Sequence, residues 1–145
     1  MCGQIILLHG PSGSGDSTTP KALLDPIERS FWQVSTDHPR DAGVLPGVRL
    51  QQGDFRWSDI RAAVFDGVHQ SLAACAGAGN NLIVEHILDT PGWGDDPMRL
   101  PAPCDELFVG LPCDLDELQR REAIRGGRPL GSAEQHYLSV NKTCR

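Results

Sequence analysis

The chain has 145 residues, a length that fits one domain with a core needing no staples. Its 39% hydrophobic and 22% charged residues are ordinary for a soluble globular protein. The formal net charge of -6 argues against general binding to a nucleic-acid backbone and against docking on an anionic membrane.

The N-terminus, Met1-Cys2-Gly3-Gln4, carries no basic segment ahead of the apolar run Ile5-Ile6-Leu7-Leu8, and that run is too short for a signal peptide or a membrane span. It reads instead as a first strand. Three more apolar runs follow: Phe31-Trp32-Gln33-Val34, Leu82-Ile83-Val84 and Leu107-Phe108-Val109. Continuous apolar runs suit strands buried on both faces of a parallel sheet. Residues 39–53 are rich in Pro, Gly and Asp and read as a loop. From about Ser58 to Ala76, Ile60, Val64, Val68, Leu72 and Cys75 fall on one helical stripe. Ser58 or Asp59 can cap its start, and Gly77-Ala78-Gly79-Asn80 ends it. Residues 90–103 read as a second loop. Another helix is predicted from Asp114, with Glu117 completing a capping box, to about Arg125, and a shorter one from Ser132 to about Val140. Strands alternating with helices imply a three-layer α/β fold: a parallel sheet with helices on both faces, in one domain over residues 1–145. Ligands in such folds bind beyond the carboxyl ends of the strands.

The first strand leads into His9-Gly10-Pro11-Ser12-Gly13-Ser14-Gly15-Asp16-Ser17-Thr18. A phosphate-binding loop has glycine, four residues, then Gly-Lys-Ser/Thr, and Gly10, Gly15 and Ser17 match that spacing. Its glycines permit the tight turn, its backbone N–H groups cradle phosphates, and the Ser17 hydroxyl is placed to ligate Mg2+. The nucleotide-binding set is thus Gly10, Ser12, Gly13, Ser14, Gly15, Asp16, Ser17 and Thr18. Asp16 stands where the motif has lysine. A unit-charge contact at ~4 Å and an effective dielectric near ~20 is worth about 4 kcal/mol, so exchanging attraction for repulsion weakens phosphate binding strongly. Pro20 falls in or near the first turn of the following helix, where proline is tolerated. A glycine-serine turn that only resembles a phosphate loop is the competing reading.

Four segments occur in one order: residues 5–15, Val34-Ser35-Thr36-Asp37-His38, Leu82-Ile83-Val84-Glu85-His86, and Arg120-Arg121-Glu122-Ala123-Ile124-Arg125-Gly126-Gly127-Arg128. This series resembles the chloramphenicol phosphotransferase-like family of P-loop kinases over nearly the whole chain. The resemblance implies ATP- and Mg2+-dependent transfer of the γ-phosphate to a hydroxyl of a small molecule, with a chloramphenicol-type acceptor and antibiotic resistance as the family's example. It implies Asp37 as catalytic base, and a lid whose region Arg121, Arg125 and Arg128 match, with Arg121 on the nucleotide and Arg125 and Arg128 catalytic. Two features depart from the family pattern. One is Asp16. The other is the C-terminus, which is expected to lack the family's last strand and helix, leaving a sheet edge open to self-association.

On their own chemistry these residues keep two readings each. Asp37 is a base for an attacking hydroxyl, or a cap ahead of Pro39. Glu85 holds the Mg2+ water shell or orients substrate, or it is a salt-bridge partner of an arginine. His86 packs or hydrogen-bonds locally. The arginines fork onto phosphate oxygens, or form a basic face paired with Glu117 and Glu122. Trp57 and Trp93 are candidates for an acceptor wall, while Trp32 reads as core. The five cysteines, Cys2, Cys75, Cys104, Cys113 and Cys144, are odd in number and lack zinc-knuckle spacing, so they read as reduced thiols in a cytoplasmic chain. The five histidines show no ligand spacing, so no bound zinc is expected. Two functions remain: a small-molecule kinase, or a catalytically dead relative that binds a ligand or partner.

Overall fold

A computed structural model describes residues 1–11, 13–14, 18–87, 90, 104–125 and 131–140. Its elements in chain order are β1 (Ile5–His9), α1 (Thr19–Leu24), β2 (Phe31–Ser35), α2 (His38–Asp41), α3 (Gly47–Gln51), α4 (Trp57–Gly77), β3 (Asn81–Glu85), β4 (Glu106–Gly110), α5 (Leu115–Arg125) and α6 (Ser132–Val140). The described strands form one parallel sheet in the order β2-β3-β1-β4. The α/β class expected from the sequence is present.

The two central strands explain why their sequences are unbroken apolar runs. Ile5, Leu7, Leu72, Ala76, Leu82 and Val84 form the buried core between one sheet face and α4, with Val34, Val68 and Cys75 packed on it. Side chains alternate along a strand, so Leu8 and Ile83 point to the other face, and they too are buried. Both faces of β1 and β3 are therefore covered. The outer strands differ. Trp32 of β2, read as core, is 50% exposed, and Leu107 and Phe108 of β4 are exposed as well. The reason is strand order: β2 and β4 lie at the two edges.

Several local expectations are corrected. Helix α4 begins at Trp57, one residue before the expected start, with Arg56 at its N-cap in place of Ser58 or Asp59, and no side chain caps it. Residues 39–53, expected as a loop, contain α2 and α3. Pro39 occupies the first turn of α2, where its fixed φ and missing N–H do no harm. The backbone reverses at Gly43 (φ 71°) and Gly53 (φ 82°), a conformation glycine adopts without strain. Glu117 turns its carboxylate to Arg120 and Arg121 and not to a capping box with Asp114. Glu122 of α5 accepts hydrogen bonds from the Gly131 and Ala133 amides at 3.0 Å each, joining α5 to the start of α6.

The cysteine reading is also corrected. Cys2 and Cys104 form a disulfide, with their Cα atoms 5.1 Å apart. Parallel register sets Ile5 beside Glu106, so the residues leading into β1 and β4 meet, and the Ile5 amide bonds the Asp105 carbonyl at 2.8 Å. Cys75 and Cys113 are free thiols. The disulfide removes the argument for a reducing cytoplasm that rested on five free thiols. Among the described residues, no helix is long and apolar enough to cross a membrane.

Candidate functional site

Strand β1 delivers the chain into a tight turn. A Cβ on Gly10 would run into the Ser14 hydroxyl and would approach the Leu111 carbonyl to 2.9 Å, so only glycine lets the loop and the exit of β4 pass this closely. The Ser14 amide bonds the Pro11 carbonyl at 3.0 Å, and Gly13 has φ 89°, the sign a type II turn needs at its third residue. The Ser14 Oγ is buried with no hydrogen-bond partner among the described residues. Thr18 is the N-cap residue of α1, and Pro20 is buried in that helix's first turn. The orphaned Ser14 hydroxyl offers a phosphate one hydrogen-bond donor. The anionic Asp16 does not fit it in charge. Ser12, Gly15, Asp16 and Ser17 lie outside the described residues.

A cleft of about 160 Å³ opens beyond the carboxyl ends of β1, β2 and β3, and Gly10, Asp37, Glu85 and His86 all line it. Asp37 follows β2 directly and occupies the N-cap position of α2, yet its carboxylate makes no capping bond. It pairs instead with Arg40 at 3.2 Å, and the Asp37 amide donates to the Ser35 hydroxyl at 3.3 Å. Glu85, the last residue of β3, is buried. Gln33 Nε2 donates to its Oε1 at 2.6 Å, and its carbonyl accepts from the Thr36 amide at 3.1 Å.

The wall of the cleft is aromatic. Phe65 stacks on His86 with centroids 6.0 Å apart and planes at 15°, and Trp57 meets Phe65 edge-on at 6.2 Å. The Arg61 guanidinium lies 4.9 Å from the Phe65 centroid and donates to Thr90 Oγ1 at 2.9 Å. Below the wall, His9 Nδ1 donates to the His86 carbonyl at 3.2 Å, and His69 and His86 share a hydrogen bond between their Nε2 atoms at 2.7 Å. Burial, and then the neighbouring His69, lower the His86 pKa to about 3, so this ring is neutral at physiological pH.

Arg40, Arg61, Phe65 and His136 line the cleft and were not read from the sequence. A signal was present for two of them. Trp57, Arg61, Phe65 and His69 recur every four residues, a second stripe on α4 beside the apolar stripe that reads as core. Nothing local marks Arg40 or His136. Trp93 lies outside the described residues.

Helix α5 rests on the phosphate loop through two residues one turn apart. Leu118 is fully buried, its Cδ2 3.8 Å from where a Cβ on Gly13 would sit. Arg121 Nη1 donates to the Gly13 carbonyl at 3.0 Å. The same guanidinium binds Glu117 Oε1 through Nε at 2.6 Å, and Arg120 grips both oxygens of Glu117 at 2.8 Å. Hydrogen bonds from Arg120, then Arg121, lower the Glu117 pKa to about 2. Arg125 is the last residue of α5, and Arg128 lies outside the described residues.

A family model described as chloramphenicol phosphotransferase-like protein matches residues 3–144. The chain belongs to the chloramphenicol phosphotransferase-like family. This family member is also similar to guanylate kinases. It is 24% identical over 139 residues to that of Wolinella succinogenes, covering 86% of this chain and 63% of the relative. It is 27% identical over 157 residues to that of Clostridium perfringens (strain SM101 / Type A), covering 97% of this chain and 69% of the relative. The chain therefore spans about two thirds of the length of these curated relatives. Among solved structures, its fold resembles one in the Pnkp1/Rnl/Hen1 RNA repair complex, with TM-score 0.74, 18% identity, and coverage of 98% of this chain and 45% of that one. It also resembles a sugar kinase from Janibacter sp. HTCC2649, with TM-score 0.68, 19% identity, and coverage of 95% and 78%. A gluconokinase from Sinorhizobium meliloti 1021 aligns with TM-score 0.59 at 22% identity, over 99% of this chain and 75% of that one. The chloramphenicol phosphotransferase-like chain thus has the fold of a P-loop kinase.

Proposed function

We propose that the protein transfers the γ-phosphate of ATP to a hydroxyl of a small molecule, with a chloramphenicol-type alcohol as the acceptor class. One observation carries this reading: Asp37 and Gly10, the first residue of the phosphate loop, line the same cleft. Asp37 accepts the proton of the attacking hydroxyl, a task its position at a strand end facing Arg40 suits. The backbone from Gly10 to Ser17, with Thr18 at the helix start, holds the nucleotide phosphates. Ser17 and Glu85 hold Mg2+, Glu85 being oriented by Gln33. Arg121 sits on the nucleotide, and Arg125 and Arg128 steady the transferring group. When bound, Mg-ATP supplies the phosphoryl group and the metal's charge on it. The Trp57–Phe65 wall seats the apolar body of the acceptor. Supply of ATP makes the cytoplasm the natural setting.

The test is phosphoryl transfer from ATP to a panel of primary alcohols, chloramphenicol included, followed as ADP release and product mass. Turnover should be lost by about 100-fold or more in Asp37→Asn with Mg-ATP binding retained. Turnover undiminished in Asp37→Asn would sink Asp37 as the base. A second reading, a catalytically dead ligand-binding module, is favoured by Asp16 at the lysine position. It expects ligand binding in the cleft without ADP release from any alcohol.

A further inference from the structure

We infer that the Cys2–Cys104 bond is a thiol–disulfide switch that sets how firmly β4, and with it the phosphate loop, is held. Its consequence for nucleotide affinity rests on the nucleotide-binding reading above.

Both sulfurs are placed for reversible chemistry. Cys2 and Cys104 are each half-buried, so a small thiol reductant reaches them. The reduced state has a partner in place. Cys2 Sγ lies 3.3 Å from the Ala76 carbonyl, a distance at which a thiol S–H donates and a disulfide sulfur has no hydrogen to give. In a compartment that supplies ATP, dithiol reductants are abundant, and disulfides there are characteristically transient and redox-sensing. A dithiol's thiolate attacks one sulfur, the Cys2–Cys104 bond breaks, and the reductant's second thiol closes its own disulfide. Two electrons and two protons pass to the protein, which is left with two thiols.

Strand β4 carries the change to the loop. Among the described strands it pairs with β1 alone, and its Leu107 and Phe108 are exposed, so little packing holds it. Cys104 comes one residue before Asp105, whose carbonyl accepts from the Ile5 amide at 2.8 Å and begins the pairing of β4 with β1. At the other end of β4 the Leu111 amide bonds the His9 carbonyl at 2.7 Å, and Leu111 packs where Gly10 leaves no room for a Cβ. Leu118 of α5 then lies over Gly13, its Cδ2 3.8 Å from where a Cβ there would sit. One strand thus runs from the disulfide to the phosphate loop, and freeing its start lowers the free energy of local opening along its length.

The experiment is amide hydrogen exchange and calorimetric titration with Mg-ATP on the full chain, oxidised with glutathione disulfide, reduced with dithiothreitol and reoxidised. Cys2→Ser and Cys75→Ser are measured beside it. On reduction, amides of residues 106–111 should exchange about tenfold faster or more, while those of the central strand β3 hold to within about twofold. The Ser14 amide should follow β4, Mg-ATP affinity should fall by about threefold or more, and reoxidation should restore all three. Cys2→Ser should show the reduced values under either condition. Cys75→Ser, which lacks a free thiol packed on the same core, should switch as the wild type does. If Cys2→Ser unfolds, the two states of the wild type carry the comparison. Equal exchange in those states overturns the inference, as do Cys2 and Cys104 that stay open to alkylation in glutathione disulfide. Exchange that quickens alike in every strand also overturns it, because the bond would then staple the whole fold. A loosened β4 with Mg-ATP affinity unchanged overturns its reach to the loop. Absence of Mg-ATP binding in both states removes the nucleotide reading, and exchange at β4 and at Ser14 then decides the switch by itself.

Discussion

The rings of His69 and His86 meet at 2.7 Å, Nε2 to Nε2, so one ring must donate and the other must accept. That bond requires at least one neutral imidazole, and burial and His69 keep His86 neutral down to about pH 3. Protonating His86 inside the fold would set a cation against His69, His9 and Arg61.

Stability should therefore fall on acidification. The unfolded chain binds a proton at His86 near pH 6.5, and the fold refuses it until about pH 3. The contribution is full above pH 6.5 and is lost as pH drops through that window, at up to about 1.4 kcal/mol per pH unit. Melting temperatures recorded from pH 7.5 to 4.5 should show this slope, and His86→Gln should flatten it. An equal slope in the variant would place the acid sensitivity elsewhere.

Phe65→Ala removes the ring that His86, Trp57 and Arg61 all contact. The change should lower stability by about 2 kcal/mol in urea unfolding. It should also weaken acceptor binding while sparing Mg-ATP, because the ring's contacts are with Trp57, Arg61, His69 and His86. Loss of both affinities together would tie the wall to the loop.

Gly10→Ala places a methyl group against the Leu111 carbonyl and the Ser14 hydroxyl. Backbone cannot yield as a side chain does, so the loop must open. A loss of about 1–3 kcal/mol in stability is expected, with Mg-ATP binding weakened alongside. An unchanged melting temperature would show that the turn tolerates a Cβ.

Cys2→Ser opens the disulfide to Cys104 and should destabilise the protein by about 2–4 kcal/mol, because a loop of this length restrains the unfolded chain. Intact-mass analysis after alkylation without reductant should leave Cys2 and Cys104 unlabelled while Cys75 and Cys113 react on unfolding. Labelling of all the cysteines would show the thiols reduced.

The strands are legible in the sequence because β1 and β3 are covered on both faces and so contain no polar alternation. Helix α4 is legible because its core stripe repeats at helical spacing over about four turns. Strand order is not written locally. It decides that Trp32 is exposed at an edge, and it brings Cys2 to Cys104 across 102 residues. Short helices α2 and α3 share their Pro, Gly and Asp composition with loops, and only tertiary closure separates the two. In the site, Asp37 and Glu85 are legible because each follows an apolar run, where ligand groups collect. Arg61 and Phe65 sit inside a helix whose more obvious stripe is the core, and Arg40 acquires meaning only through its pairing with Asp37. The contact between Arg121 and Gly13 spans 108 residues and depends on which way α5 faces.

The Cys2–Cys104 bond divides the chain mechanically. Residues 2–104 become a closed ring holding β1, β2, β3 and the cleft wall, while β4, α5 and α6 hang from it as a tail. A pull between the two termini would pass straight through the sulfur atoms and leave the ring unstressed. Only the tail could pay out under load, peeling β4 from β1 and lifting Arg121 from the phosphate loop. A protease cut anywhere inside the ring would leave a molecule that still migrates as one piece until a reductant is added.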